Sequence, residues 1–432
     1  MNTQLSQANA RPTPISSKLS WFAGLRLGSN ERTMAILALC MALQIIGYVI
    51  IYPLFARRFT EIGAGVEELG TSVMAYALAS ALAAPFMGAL ADRFGRRLLV
   101  LGSLAAYILA FTGYLFAASA TAFILLRALA GLFTAGLTPS VIGTVADLAP
   151  KDHRAKWIGI VSGGASFGWI AGPILGGVLY DHWGYQAAVL ISILMAVATF
   201  LMALFALPRV PRNRHEASAE VETKQPGLQV STRSTWQSLR GGLSRSLPAL
   251  IALLFISFAV MFAWAFIEPQ FMFYAYDDLG WSPSMLGLVM STYGIAMMVG
   301  EFGLSQLSDR LGRKPVIVLG VILFSAQFIG LAFCRSYIWM AVSFVIGGLG
   351  NALYDPALSA AILDITPADS QARVQGIKST AASLGSILGP GLTALLTPYL
   401  DARAIFLAAV GAVFATFVVS LLVPAKAKAT SA

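Results

Sequence analysis

The chain has 432 residues, of which 57% are apolar and only 11% carry a charge, with a formal net charge of +9. Soluble globular domains carry about 25% charged residues, so this composition excludes an ordinary soluble protein and makes lipid the expected solvent. The two cysteines, Cys40 and Cys334, both fall inside apolar stretches and suggest neither a disulfide framework nor a metal site.

A membrane span needs roughly 20 mainly apolar residues. Such windows recur twelve times, near 34–56, 71–91, 98–119, 121–146, 156–180, 185–207, 247–268, 285–307, 315–334, 337–361, 374–398 and 403–424. The sequence therefore predicts an all-α membrane protein: a polar tail over 1–33 with no apolar signal-peptide core, a six-helix bundle over 34–207, a polar linker over 208–246, a second six-helix bundle over 247–424 and a short tail over 425–432. With the N-terminus placed in the cytoplasm, 23 of the 29 Lys and Arg residues fall in the tails and the loops on that side. Only Arg57, Arg58, Arg335 and Arg403 fall outside, while Arg127 and Lys378 lie within or at the edge of spans. This one-sided placement follows the positive-inside rule, expects both termini in the cytoplasm, and explains the net positive charge without nucleic acid.

Shifting the sequence against itself by 217 residues superposes Asp92-Arg93 on Asp309-Arg310, Gly95 on Gly312, Arg96 on Arg313, Gly131 on Gly348, Asp147 on Asp364 and Gly172-Pro173 on Gly389-Pro390. The halves are repeats, and six spans per unit preserve the direction of every helix. In transporters built this way the site lies between the halves near the bilayer midplane.

The loop after span two reads Gly88-Ala-Leu-Ala-Asp92-Arg93-Phe-Gly95-Arg96-Arg97, and its counterpart after span eight reads Ser305-Gln-Leu-Ser-Asp309-Arg310-Leu-Gly312-Arg313-Lys314. Here the chain resembles the major facilitator superfamily, whose signature is this Gly-x3-Asp-Arg-x-Gly-x-Arg pattern; only Ser305, in place of the first glycine, departs from it. The resemblance implies a major facilitator fold of two pseudo-symmetric bundles. It also implies a cytoplasmic gate in which Asp92 meets the start of span eleven, Arg96 meets Asp147, and Asp309, Arg310, Gly312, Arg313 and Asp364 repeat the arrangement. The bland alternative is that these arginines only enforce topology.

Span five carries Gly159-x8-Gly168-x3-Gly172-Pro173-x2-Gly176-Gly177, similar to the pattern of the superfamily's proton-driven exporters. Such spacing suits close helix packing with a pivot at the proline. Arg127-x3-Gly131 in span four resembles the family's motif with a membrane-embedded arginine, which implies help with proton transfer; a snorkelling arginine is the alternative reading. Among the intramembrane acids, Glu301 and Asp355 lie roughly 12–14 Å in from the inner ends of their spans at 1.5 Å per residue, which makes them the expected coupling residues. Glu268, followed by Pro269, is expected nearer the outer mouth. Gln44 stands where related drug exporters often carry an acid; unable to titrate, it is left the role of hydrogen-bonding substrate. Tyr48, Tyr52, Trp264, Phe271, Tyr293 and Tyr354 are candidate cavity aromatics.

No phosphate-cradling Gly-Lys-Ser/Thr loop occurs. The expectation is thus a non-enzymatic carrier: no cofactor or metal, a proton gradient as energy source, a small-molecule substrate, protons and the inner-membrane bilayer as partners, and a monomeric state. Within that class the reading is a proton-coupled exporter of drug-like or amphiphilic compounds. The alternatives are a proton-coupled importer of an organic acid or sugar, a transport-dead sensor or scaffold and, lacking any nucleophile constellation, an intramembrane enzyme.

Overall fold

The computed structural model describes residues 29–150, 153–207, 247–304, 307–367 and 370–422. The expected linker over 208–246 and most of both tails lie outside the described residues, as does the side chain of Asp92. Every described element is helical. In a bilayer core only structures that satisfy their own backbone hydrogen bonds can cross, and a helix does so within one segment.

Eleven described helical runs are long and apolar enough to cross a membrane. One of them, Arg154–Ala206, holds two spans separated by a bend at Gly184, whose φ of 77° suits glycine. The twelve expected spans are thereby accounted for. Span one runs Ser29–Ile51, breaks in a turn, and resumes as Phe55–Glu61; span two is Val66–Phe94 and span three Arg96–Phe116. Span four is split into Ala120–Thr134 and Leu137–Leu148, spans five and six occupy 154–183 and 185–206, and span seven is Leu247–Phe273. Span eight is Pro283–Leu304, followed by the short helix Leu307–Leu311; nine is Arg313–Phe333, ten Tyr337–Asp364, eleven Gln371–Leu396 and twelve Ala402–Leu422.

Span seven departs most from the sequence expectation. Its α-helix passes Pro269 without ending and continues through a π-helical turn, Tyr274–Asp278, so Glu268 lies about ten residues short of the end. A proline late in a membrane helix is tolerated where neighbouring groups re-satisfy the backbone.

The signature glycines have a backbone reason. Gly95 and Gly312 sit at φ of 86° and 91°, each making the left-handed turn between two antiparallel spans. The span-five glycines have a packing reason. A methyl group on Gly168 would lie 2.6 Å from Ile45, one on Gly172 would lie 2.7 Å from Val49, and Gly176 abuts the carbonyl of Ile50. This stripe lets span five approach the backbone of span one. In the second half Gly385 and Gly389 face span seven in the same way: a methyl group on Gly385 would lie 2.6 Å from the Phe258 carbonyl and one on Gly389 2.7 Å from the Phe266 amide nitrogen. Thr393, one turn further on where the first half has Gly176, instead donates its hydroxyl to the Phe266 carbonyl. Gly159 has open space around it and takes no part in the stripe.

The halves meet through spans five and eight and through spans two and eleven, and the close approaches lie toward one rim. Gly177 abuts the carbonyl of Pro283, Gly287 that of Pro173, and Gly70 that of Pro390, where an added methyl would lie 2.8 Å away. Toward the opposite rim, which carries Arg93, Arg96, Arg97 and Arg154, nothing stands within 4 Å of a methyl placed on Gly88, Gly159, Gly303 or Gly376. We call these the far rim and the basic rim. The molecule is closed at the far rim and open at the basic one.

Candidate functional site

Between the halves lies a cavity of about 630 Å³. Its wall is aromatic: Tyr48, Tyr52, Tyr76 and Trp169 from the first half face Trp264, Tyr293, Phe344 and Tyr354 from the second. Trp264 and Tyr293 stack at 5.7 Å and 12°. Of the aromatics expected from the sequence, only Phe271 is not on the wall; it packs behind it against Phe344 at 5.1 Å.

Two charged side chains on this wall are almost fully buried. Arg127 is 1% exposed and Glu268 is 7% exposed. Arg127 donates to the Tyr48 hydroxyl at 3.2 Å, and its guanidinium lies 4.8 Å from the Tyr76 ring centre and 5.0 Å from that of Phe55. A planar cation enclosed by aromatic faces recovers part of its lost hydration by cation–π attraction. It does not snorkel: span four tucks Arg127 inward because Gly131, one turn on, lets the helix pack against the Tyr76 carbonyl of span two.

Glu268 is not at a mouth. Its helix extends beyond it, and its carboxylate accepts a hydrogen bond from the Tyr52 hydroxyl of the other half. Among the described residues no ion pair joins Arg127 to Glu268. Tyr48 and Tyr52 stand between them with ring centres 5.5 Å apart, so the run Arg127, Tyr48, Tyr52, Glu268 crosses from one half to the other.

The two acids favoured by depth along the helix lie differently. Glu301 is exposed, and Asp355, also exposed, pairs with Lys378 at 2.7 Å. Lys378 also donates to Ser359 at 2.6 Å. Distance from a helix end does not measure burial when the space between the halves is open on that side. Gln44 is 1% exposed but lies off the cavity, and neither of its amide atoms has a hydrogen-bonding partner. Cys40 and Gly47, one turn on either side of it, face span six at Thr199 and Ser192, and Gln44 shares that face.

At the basic rim both copies of the signature form the same contact across 51 residues: Arg96 pairs with Asp147, and Arg313 pairs with Asp364 at 3.0 Å and with Asp309 at 2.5 Å. Each pair joins spans of one half. These contacts persist with the basic rim open, so they brace each bundle rather than clasp the two together. A clasp through Asp92 falls outside the described side chains, and among the described residues no His, Cys, Asp or Glu side chains cluster as metal ligands.

The family model described as Major Facilitator Superfamily matches residues 37–275 and 253–432. The chain belongs to the Major Facilitator Superfamily. Like other members it is a multi-pass membrane protein that carries a small solute. It is 28% identical to the multidrug resistance protein MdtG of Klebsiella pneumoniae, over 80% of this chain and 81% of that protein. It is 26% identical to the class B tetracycline resistance protein of Escherichia coli, over 86% and 89%. The fold matches solved superfamily members: the nucleoside transporter NupG, with a TM-score of 0.70 at 14% identity over 90% of this chain and 99% of that one, and the human organic anion transporter MFSD10, with 0.63 at 19% identity over 91% and 100%.

Sequence reasoning missed several polar groups that the fold brings together. Asp181 at the end of span five accepts from the Ser284 amide at the start of span eight at 3.1 Å. Arg57 lies 3.9 Å from Asp277, and the Tyr276 hydroxyl donates to the Pro53 carbonyl at 3.0 Å. All three contacts join the halves at the far rim. The outlying position of Arg57 against the charge asymmetry was the available signal.

Proposed function

We propose that the chain exports amphiphilic, drug-like compounds in exchange for protons, and that Glu268 is the group for which proton and substrate compete. The observation that carries this reading is the burial of one carboxylate on the wall of an aromatic cavity shared by both halves. A buried carboxylate is costly unless it is neutralised or partnered. A proton or a cationic or hydrogen-bond-donating substrate meets that need equally well, and one site cannot hold both. The aromatic wall supplies sequence-tolerant, flat apolar contact area. Arg127 holds a fixed positive charge across the cavity, which keeps the proton exchangeable. The relatives' names, multidrug and tetracycline resistance proteins, point to the same class of cargo.

On this reading the basic rim is cytoplasmic, both termini lie on that side, the protein works as a monomer without cofactor, and Glu301 and the Asp355–Lys378 pair line the approach. The test is ethidium uptake into proteoliposomes with an imposed pH gradient. Wild-type protein accumulates ethidium on the acidic side, Glu268→Gln reduces this at least tenfold (about 1.4 kcal/mol), and Glu301→Gln stays within twofold. Gradient-driven accumulation that survives Glu268→Gln removes the assignment, and accumulation toward the alkaline side favours an importer.

A further inference from the structure

We propose that the ends of spans one and seven form one strut that closes the far rim and is anchored on Glu268, with Tyr52 as the positioning residue that ties closure to whatever occupies that carboxylate. The proposal rests on Glu268 being the exchanging group.

Three contacts between the halves lie in register along these two chain segments. Nearest the cavity, the Tyr52 hydroxyl donates to Glu268. Next, the Tyr276 hydroxyl donates to the Pro53 carbonyl at 3.0 Å. At the rim, the Arg57 guanidinium lies 4.4 Å above the Tyr276 ring and 3.9 Å from Asp277. From residue 268 to 277 a helix rises roughly 13 Å, so the series extends from the cavity wall to the surface without leaving these two spans.

Both segments are irregular where the strut requires it. Span one stops its α-helix at Ile51 and restarts at Phe55, which leaves the Pro53 carbonyl free to accept from outside its own helix. Span seven widens into a π-helical turn at Tyr274–Asp278, carrying both Tyr276 and Asp277. Single π-turns are rare and concentrate at functional sites. Tyr52, Pro53's neighbour Leu54 and Tyr276 are all buried.

The innermost bond differs from the outer two because its acceptor is a cavity group. The other charged or titratable groups acting on Glu268 are Arg127 of span four and Tyr48 of span one; none comes from spans eleven or twelve, which pack along span seven. A substrate that donates to Oε1 of Glu268 takes the place of the Tyr52 hydroxyl there. Displacement loosens the strut from within, and the far rim opens when the site is filled.

The test is pulsed electron spin resonance on full-length protein in lipid nanodiscs, with spin labels at Glu67→Cys and Asp401→Cys, both exposed at the far rim in opposite halves, in a Cys334→Ser background. Tyr52→Phe raises the population of long distances about fivefold, as does Tyr276→Phe, each by loss of roughly one hydrogen bond. Glu268→Ala does the same, the Tyr52→Phe/Glu268→Ala pair opens no further than either alone, and Glu268→Gln, which keeps an acceptor oxygen, stays closed. A Tyr52→Phe variant with unchanged melting temperature and unchanged distances overturns the proposal, as does additivity in the pair. If Tyr52→Phe opens the rim while Glu268→Gln keeps gradient-driven ethidium transport, the strut stands and the exchange assignment falls; the reverse pattern fails the strut alone.

Discussion

The two halves share a frame and differ in the charges they hold. Tyr76 with Thr134 in the first half and Tyr293 with Asn351 in the second are the same pair 217 residues apart, bonded at 3.3 Å and 2.6 Å. Gly131 seats on the Tyr76 carbonyl as Gly348 seats on that of Tyr293, and Arg96–Asp147 recurs as Arg313–Asp364. Yet the position of Arg127 is taken by Phe344 in the second half, and the position of Glu268 is taken by Ile51 in the first. Packing holds the repeats alike, whereas the buried charges are single and opposite. Neither half contains a complete site, and the cavity acquires its chemistry only where the halves face each other.

The largest expected effect comes from erasing that asymmetry. Arg127→Met makes the first half as apolar as the second; gradient-driven ethidium transport falls more than tenfold (more than about 1.4 kcal/mol), while the melting temperature stays level or rises, since a buried charge without an ion-pair partner among the described residues is costly to desolvate and an apolar side chain of similar length is not. A loss of folding together with transport would recast Arg127 as structural. The next effect tests the frame. Gly176→Ala pushes a methyl into the Ile50 carbonyl and should destabilise by about 1–3 kcal/mol, seen as a lower thermal midpoint in detergent; a neutral result would show that spans one and five have room to separate.

At the equivalent position of the second half, Thr393→Val removes the hydroxyl that bonds the Phe266 carbonyl and should cost about 1 kcal/mol, measured the same way. The smallest effect is expected at the basic rim. Arg96→Ala and Arg313→Ala break exposed ion pairs worth about 0–1 kcal/mol each, and equal small shifts in the two variants would confirm that the braces are equivalent.

The twelve spans, the repeat and the signature turns were legible because they rest on features that sequence carries directly: apolar length, periodic identity, and glycines at left-handed backbone positions. Arg127 was legible as an intramembrane charge, though its aromatic cage was not, since Tyr48, Phe55 and Tyr76 reach it from two other spans. Depth along the helix does not order the acids by burial. Glu301 and Asp355 lie deep along their helices but face the open space between the halves, while Glu268 is covered because its helix continues through Pro269 into a π-turn. Helix rotation and a helix end that ignores a proline are set by tertiary packing, which spacing does not encode. Gln44 illustrates the same limit: one turn on each side of it the span faces its own bundle, so a polar side chain at a suggestive position never meets the cavity.

Competition between proton and substrate at Glu268 is tested most directly by counting protons released when ethidium binds to purified protein in weakly buffered detergent solution. The account predicts release of up to one proton per ethidium bound by the wild type, approaching one where Glu268 starts protonated, and none by Glu268→Gln at the same occupancy. Equal release from both proteins, or binding without release across the whole pH range in the wild type, would contradict it.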